Sequence, residues 1–139
     1  NHGHTFTGNP LAASAACATL TLVKEYDIPG SLQSKADFFA KELQKFSEYD
    51  IVGDIRTIGM VGALELVRDK KTKERLPADL RLSFKISRKA LKYGLIIRPL
   101  GDVLYFMPPL IITEEQIRTM LFLTHRALRE VIDEELSYI

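Results

Sequence analysis

The stretch HGHTFTGNP places the hydroxyls of Thr5 and Thr7 between Gly3 and Gly8, directly ahead of Asn9, Pro10 and a run of small residues. Asn before Pro reads as an N-cap followed by the first helical position, because the Asn side chain accepts an orphan backbone N–H and Pro has none to lose. Open glycine amides beside threonine hydroxyls, at a helix N-terminus, can form a nest for a phosphate or carboxylate. The same residues also make an ordinary capped turn, and spacing alone favours that bland reading. His2 and His4 could begin a metal site, but no third His, Cys or carboxylate lies near them, so a plain loop or a tag remnant is the better reading and no metal is expected.

Arg98 stands between Ile96, Ile97, Pro99 and Leu100. A guanidinium in a strand with buried neighbours needs a carboxylate or phosphate to offset its desolvation. A bound substrate carboxylate would serve. An internal partner such as Glu65, itself in an apolar strand, would serve equally well, and the sequence leaves the two even. Glu65 as a general base is a poor bet, since a lone strand carboxylate has nothing to tune it. No lysine has the apolar setting that depresses an amine for covalent chemistry with a carbonyl. These residues describe a binding surface for an anionic small molecule and supply no catalyst.

Positioning these groups falls to a simple series of elements. A helix is expected over about 10–26, with Ala12, Ala13, Ala15, Ala16 and Ala18 small on every side, as suits a buried helix pressed against other backbone. Cys17 would be buried with them. Pro29 and Gly30 should break that helix. Leu32, Ala36, Phe39, Leu43 and Phe46 then recur at helical spacing, with Lys35, Lys41, Glu42 and Lys45 outside. From Asp50 the period changes to strand, interrupted at Gly59 and Gly62 by a bulge or short hairpin. A charged loop leads to a helix over about 79–93 that stops at Gly94. LIIRPL and VLYFMPP form two strands around Gly101 and Asp102. Thr113 and Gln116 make a capping box for a last helix that turns Ile117, Leu121, Thr124, Leu128 and Val131 inward. Helices on one face of a small, largely antiparallel sheet is the expected architecture, with no internal repeat.

The 139 residues suit one domain with a real core, removing roughly two-thirds of the unfolded surface. With 19 basic and 18 acidic residues interspersed, the net charge of +1 offers no field for nucleic acid. No apolar run reaches the roughly 20 residues of a spanning helix, so no membrane partner is expected. A single cysteine suits a reducing cytoplasm, and no signal peptide is expected from the residues given. A start at Asn1, on what looks like an interior turn, suggests a boundary inside a longer protein.

Three stretches together, HGHTFTGNPLAASAA, DIRTIGMVGALELV and GLIIRPLGDVLYFMPPLIITEEQI, resemble the C-terminal part of class III (subgroup II) pyridoxal-phosphate aminotransferases. GNPLA and RPLGDVLYFMPP resemble the biotin-biosynthesis branch more than the ornithine, GABA or general omega-aminotransferase branches. The resemblance implies an α+β fold: the C-terminal small domain of a fold-type I PLP-dependent transferase, at residues 31–139, preceded by an active-site turn and helix, at 1–30, leading from the large domain. It implies an enzyme that moves an amino group from S-adenosylmethionine, or in some members lysine, onto 8-amino-7-oxononanoate, with pyridoxal 5'-phosphate as electron sink. By the HG.TF turn, Thr5 would bind the cofactor phosphate with His4 flanking it, and Gly3 would touch the small-molecule substrate. The turn reaches across a homodimer, so the partners are the chain's own large domain and a second subunit. Arg98 falls on the family's substrate-carboxylate arginine. The family's Schiff-base lysine and the acidic partner of the pyridine nitrogen lie upstream, so no catalytic residue is expected here and the chain alone should be inactive. The other readings are a different class III omega-aminotransferase, or a non-catalytic α+β binding or dimerisation module.

Overall fold

A computed structural model describes residues 3, 5 and 7–135. The fold is α+β, four helices and one four-stranded antiparallel sheet: α1 (Pro10–Glu25), α2 (Ile28–Gln44), a 3-10 turn (Lys45–Glu48), β1 (Val52–Ile58), β2 (Val61–Leu66), α3 (Leu82–Lys92), β3 (Arg98–Leu100), β4 (Val103–Phe106) and α4 (Glu114–Glu135). The strand order is β1-β2-β4-β3, so two hairpins are joined side by side. Each hairpin turns on two residues, Gly59–Met60 and Gly101–Asp102, and each begins with a glycine at positive φ, +53° and +58°. Left-handed backbone at this point matches the twist of the strands it connects.

Alternation along the strands sorts the sheet into two faces. On β2 and β4, Leu64, Leu66, Leu104 and Phe106 are buried, while Ala63, Glu65, Val103 and Tyr105 between them are half-exposed. The helices take the buried face. Phe39 and Leu43 of α2, Ile86 of α3, and Ile117 and Leu128 of α4 meet those strand residues in one continuous core. Phe39 sets its edge against Phe106, ring centroids 6.4 Å apart at 71°. Gly62 does not interrupt the strand as expected. It lies inside β2, directly under α2, where a Cβ would stand 2.6 Å from Leu43 Cδ2 and 2.7 Å from Phe39 Cζ. The absent side chain is what lets α2 approach the sheet. The irregularity in β1 falls instead between Val52 and Asp54.

The capping box at α4 forms in full: the Gln116 side chain accepts from Thr113 N–H at 2.9 Å, and Thr113 Oγ1 accepts from Gln116 N–H at 3.2 Å. Ile117, Leu121, Thr124, Leu128 and Val131 are buried along it as their spacing requires. Gly94, at φ +81°, follows α3, which begins at Leu82 rather than 79 because Arg81 sits in left-handed backbone. Pro29 and Gly30 occupy the first turn of α2. The break comes at Asp27, at φ 43°, whose carboxylate accepts from Gly30 N–H at 3.3 Å. Lys35 and Glu42 are half-buried rather than outside.

The largest departure is α1. It forms where expected, capped by Asn9, but none of its residues is buried, and Cys17 is exposed. Its alanines leave room for a close neighbour, and among the described elements its main contact is with α2. No helix among the described residues is long and apolar enough to cross a membrane.

Candidate anion-binding site

Two separate groups carry the polar chemistry. The first is the turn before α1. Gly8, at φ +82°, turns the chain, and Asn9 Oδ1 accepts from Ala12 N–H at 3.1 Å, which caps the helix and aims its N-terminus at the preceding residues. Gly3 and Thr5 are exposed. The donor set of a threonine hydroxyl, glycine backbone and helix N-terminus is suited to a phosphate. His4, like His2, lies outside the described residues. Among those described, no group of three or more His, Cys, Asp or Glu could hold a metal.

The second group lies on the helix-free face of the sheet. Register places Arg98 opposite Tyr105, Tyr105 opposite Ala63 and Ala63 opposite Arg56, so these four side chains form one row across the strands on that face. Arg56 is held between Asp54, at 2.7 Å, and Glu65, at 2.6 Å, and hydrogen bonds to Glu65 first and Asp54 second raise its pKa. That settles the role of Glu65: its carboxylate answers Arg56, leaving it as neither the partner of Arg98 nor a free base.

Arg98 itself is exposed, as are Ile96 and Leu100, and of its near neighbours only Ile97 is buried. The expectation of a buried guanidinium is therefore corrected. β3 is a three-residue edge strand with one face bare, so the apolar neighbours of Arg98 in sequence do not enclose it. Among the described residues no carboxylate lies within ion-pairing distance of Arg98. Beside it opens a mainly apolar groove of about 540 Å³, walled by Ile96, Tyr105, Met107, Pro109, Ile112 and Met120. A free guanidinium at the rim of an apolar groove can hold the carboxylate end of an aliphatic molecule by a two-pronged, charge-assisted contact.

Among the described residues of the turn, Gly3, Thr5 and 7–9, none lines this groove, so the described residues do not bring Thr5 and Arg98 into one cavity. Tyr105, which sequence reading passed over as an ordinary strand residue, is the near neighbour of Arg98. Counting outward from Gly101–Asp102 pairs Leu100 with Val103, Pro99 with Leu104 and Arg98 with Tyr105, so the signal was present in the hairpin.

Residues 1–128 match the family model for Aminotransferase class-III. The adenosylmethionine-8-amino-7-oxononanoate aminotransferase of Methanocaldococcus jannaschii is 40% identical over 129 residues, covering 93% of this chain and 28% of that protein. Its crystal structure superposes with a TM-score of 0.85 over 93% of this chain and 30% of that one. The putrescine–pyruvate aminotransferase of Pseudomonas aeruginosa is 34% identical over 128 residues, 91% of this chain and 28% of the relative. A PMP-bound aminotransferase from Vibrio fluvialis, 32% identical, gives a TM-score of 0.90 over 96% of this chain and 30% of that structure. The chain thus spans less than a third of each of these relatives.

Proposed function

The chain belongs to the class III aminotransferases, and from that premise we propose that it is the C-terminal part of a PLP-dependent aminotransferase of biotin biosynthesis. The full-length enzyme would convert 8-amino-7-oxononanoate to 7,8-diaminononanoate with S-adenosylmethionine or lysine as amino donor. Residues 1–30 would be the active-site turn and helix leading from the large domain, and 31–139 the small domain. The observation that carries this reading is Arg98, a guanidinium at the rim of an apolar groove with no ion-pair partner among the described residues.

Pyridoxal phosphate, when bound, supplies the electron sink for amino transfer. Thr5 would hold its phosphate through hydroxyl and backbone N–H, His4 would flank it, and Gly3 would leave space for substrate. The turn would serve the cofactor of the neighbouring subunit in a homodimer. The donor set of the turn fits that task, with an exposed Thr5 and no described atom within 4 Å of where a Cβ on Gly3 would stand. Arg98 would take the far carboxylate of the substrate, and the groove would shield the aliphatic chain, so that binding at a distance sets the reacting end. With no lysine of the required kind, the isolated chain would not transaminate.

The test uses the full-length protein in the cytoplasm-like reducing conditions expected for it. Arg98→Ala should raise KM for 8-amino-7-oxononanoate by about 30- to 100-fold, the loss of a charge-assisted contact, with cofactor absorbance unchanged. Absence of turnover with that substrate in the wild type would overturn the biotin assignment. Turnover of a simple omega-amino acid or diamine instead would favour the general omega-aminotransferase reading, which the likeness to the putrescine–pyruvate aminotransferase of Pseudomonas aeruginosa supports.

A further inference from the structure

We infer that Lys35 is a positioning residue for the carboxylate end of the substrate, acting through the loop that walls the Arg98 groove; this rests on the reading of Arg98 given above. The loop runs from the end of β4 at Phe106 to the start of α4 at Glu114. It contributes Met107, Pro109 and Ile112 to the groove. Pro108 and Pro109 have no N–H to give, so the loop has few means of tying itself down. Its own hydrogen bond runs from Ile112 N–H to Pro109 O at 3.0 Å, and Ile112 is its buried anchor. Met107 and Ile111 are exposed.

From the other side Lys35 of α2 reaches across. Its Nζ donates to Leu110 O at 2.8 Å, joining residues 75 apart in sequence. Lys35 is half-buried, in a depression shared with Tyr26, Ile28, Ser31 and Ile111. No carboxylate pairs with it among the described residues, and its partner is a main-chain carbonyl. A cation held on a carbonyl in a proline loop fixes backbone, and the carbonyl it holds, that of Leu110, lies in the chain between Pro109 and Ile112 of the groove wall. Loosening that wall should weaken retention of a carboxylate-bearing chain and leave the reacting end untouched.

The experiment compares, in the full-length protein, 8-amino-7-oxononanoate with a plain amine, the same amino ketone ending in a methyl group where the carboxylate stands. Lys35→Met should raise KM for the carboxylate substrate by about five- to tenfold, with kcat within about twofold and KM for the plain amine unchanged. Lys35→Arg, which keeps a charged donor, should restore it. Independently of activity, hydrogen exchange of the Leu110, Ile111 and Ile112 amides should quicken in Lys35→Met and not in Lys35→Arg. Unchanged exchange, or a KM that rises equally for both substrates, overturns the inference. If Arg98→Ala fails to distinguish the two substrates, the carboxylate reading of Arg98 falls by itself, while loop exchange still decides the tether. Should Lys35→Met not fold, Lys35→Gln, shorter and uncharged, carries the same expectations.

Discussion

Helices α1 and α4 are both long, both capped by side chains their sequences announce, and opposite in what they bury. α4 sinks Ile117, Leu121, Thr124, Ala127, Leu128 and Val131 into the core, whereas α1 sinks nothing. The caps show that a helix can be specified locally, by Asn9 in one case and by Thr113 with Gln116 in the other. Burial is not local. The leucines of α4 recur on one face and meet a sheet that turns its own apolar face toward them. The alanines of α1 mark a close approach, but they say nothing of what approaches, and Leu11, Leu20 and Leu22 stand exposed beside them. One region is therefore held by its own packing, and the other offers a surface.

The contrast can be broken first at Gly62. A methyl there would intrude on Leu43 and Phe39 in the packed region, so Gly62→Ala should cost about 2–3 kcal/mol, read as a lowered denaturation midpoint with unchanged slope. A neutral result would mean that α2 does not press on β2 as closely as described. A smaller effect is expected at His125, where α4 meets the 3-10 turn. Its ring stacks on Phe46, centroids 3.7 Å apart, and its Nδ1 lies 3.0 Å from Tyr49 Oη. Burial lowers its pKa from the usual 6.5, against the opposing pull of Glu48, while Lys45 and Arg129 also lower it and Glu42 raises it. The folded state thus binds its proton less readily than the unfolded chain. Stability should be fully present above pH 6.5 and fall as the pH drops from there toward the lowered folded value. Thermal melts across pH 5–8 should show this slope reduced in His125→Phe. The smallest effect belongs to the exposed helix: Ala16→Leu should change the melting of the packed region by no more than about 0.5 kcal/mol. A large loss there would show that α1 is covered after all in the protein as it exists in solution.

Much of the fold could be read in advance because its signals are short in range. The hairpin at Gly101–Asp102, the capping box and the helix end at Gly94 each depend on residues within a few positions of one another. The candidate site divides in the same way. Arg98 stood out as a cation among apolar residues, but the sequence left its partner open between a ligand and Glu65. The pairing of β1 with β2 removes Glu65 from that choice, by giving it to Arg56 across the strands. The tether from Lys35 to Leu110 was invisible for the same reason, since the two residues stand 75 positions apart and meet only in the folded chain.

The sequence by itself determined the elements, their caps and turns, the inward face of α4 and the membership of the chain in its family, because each is written in local periodicity or in a string of adjacent residues. Tertiary structure decided which charges are answered and which are left open. Ion pairing and burial depend on distances between residues far apart in the chain, and these exist only once the strands are in register and the helices have taken one face of the sheet.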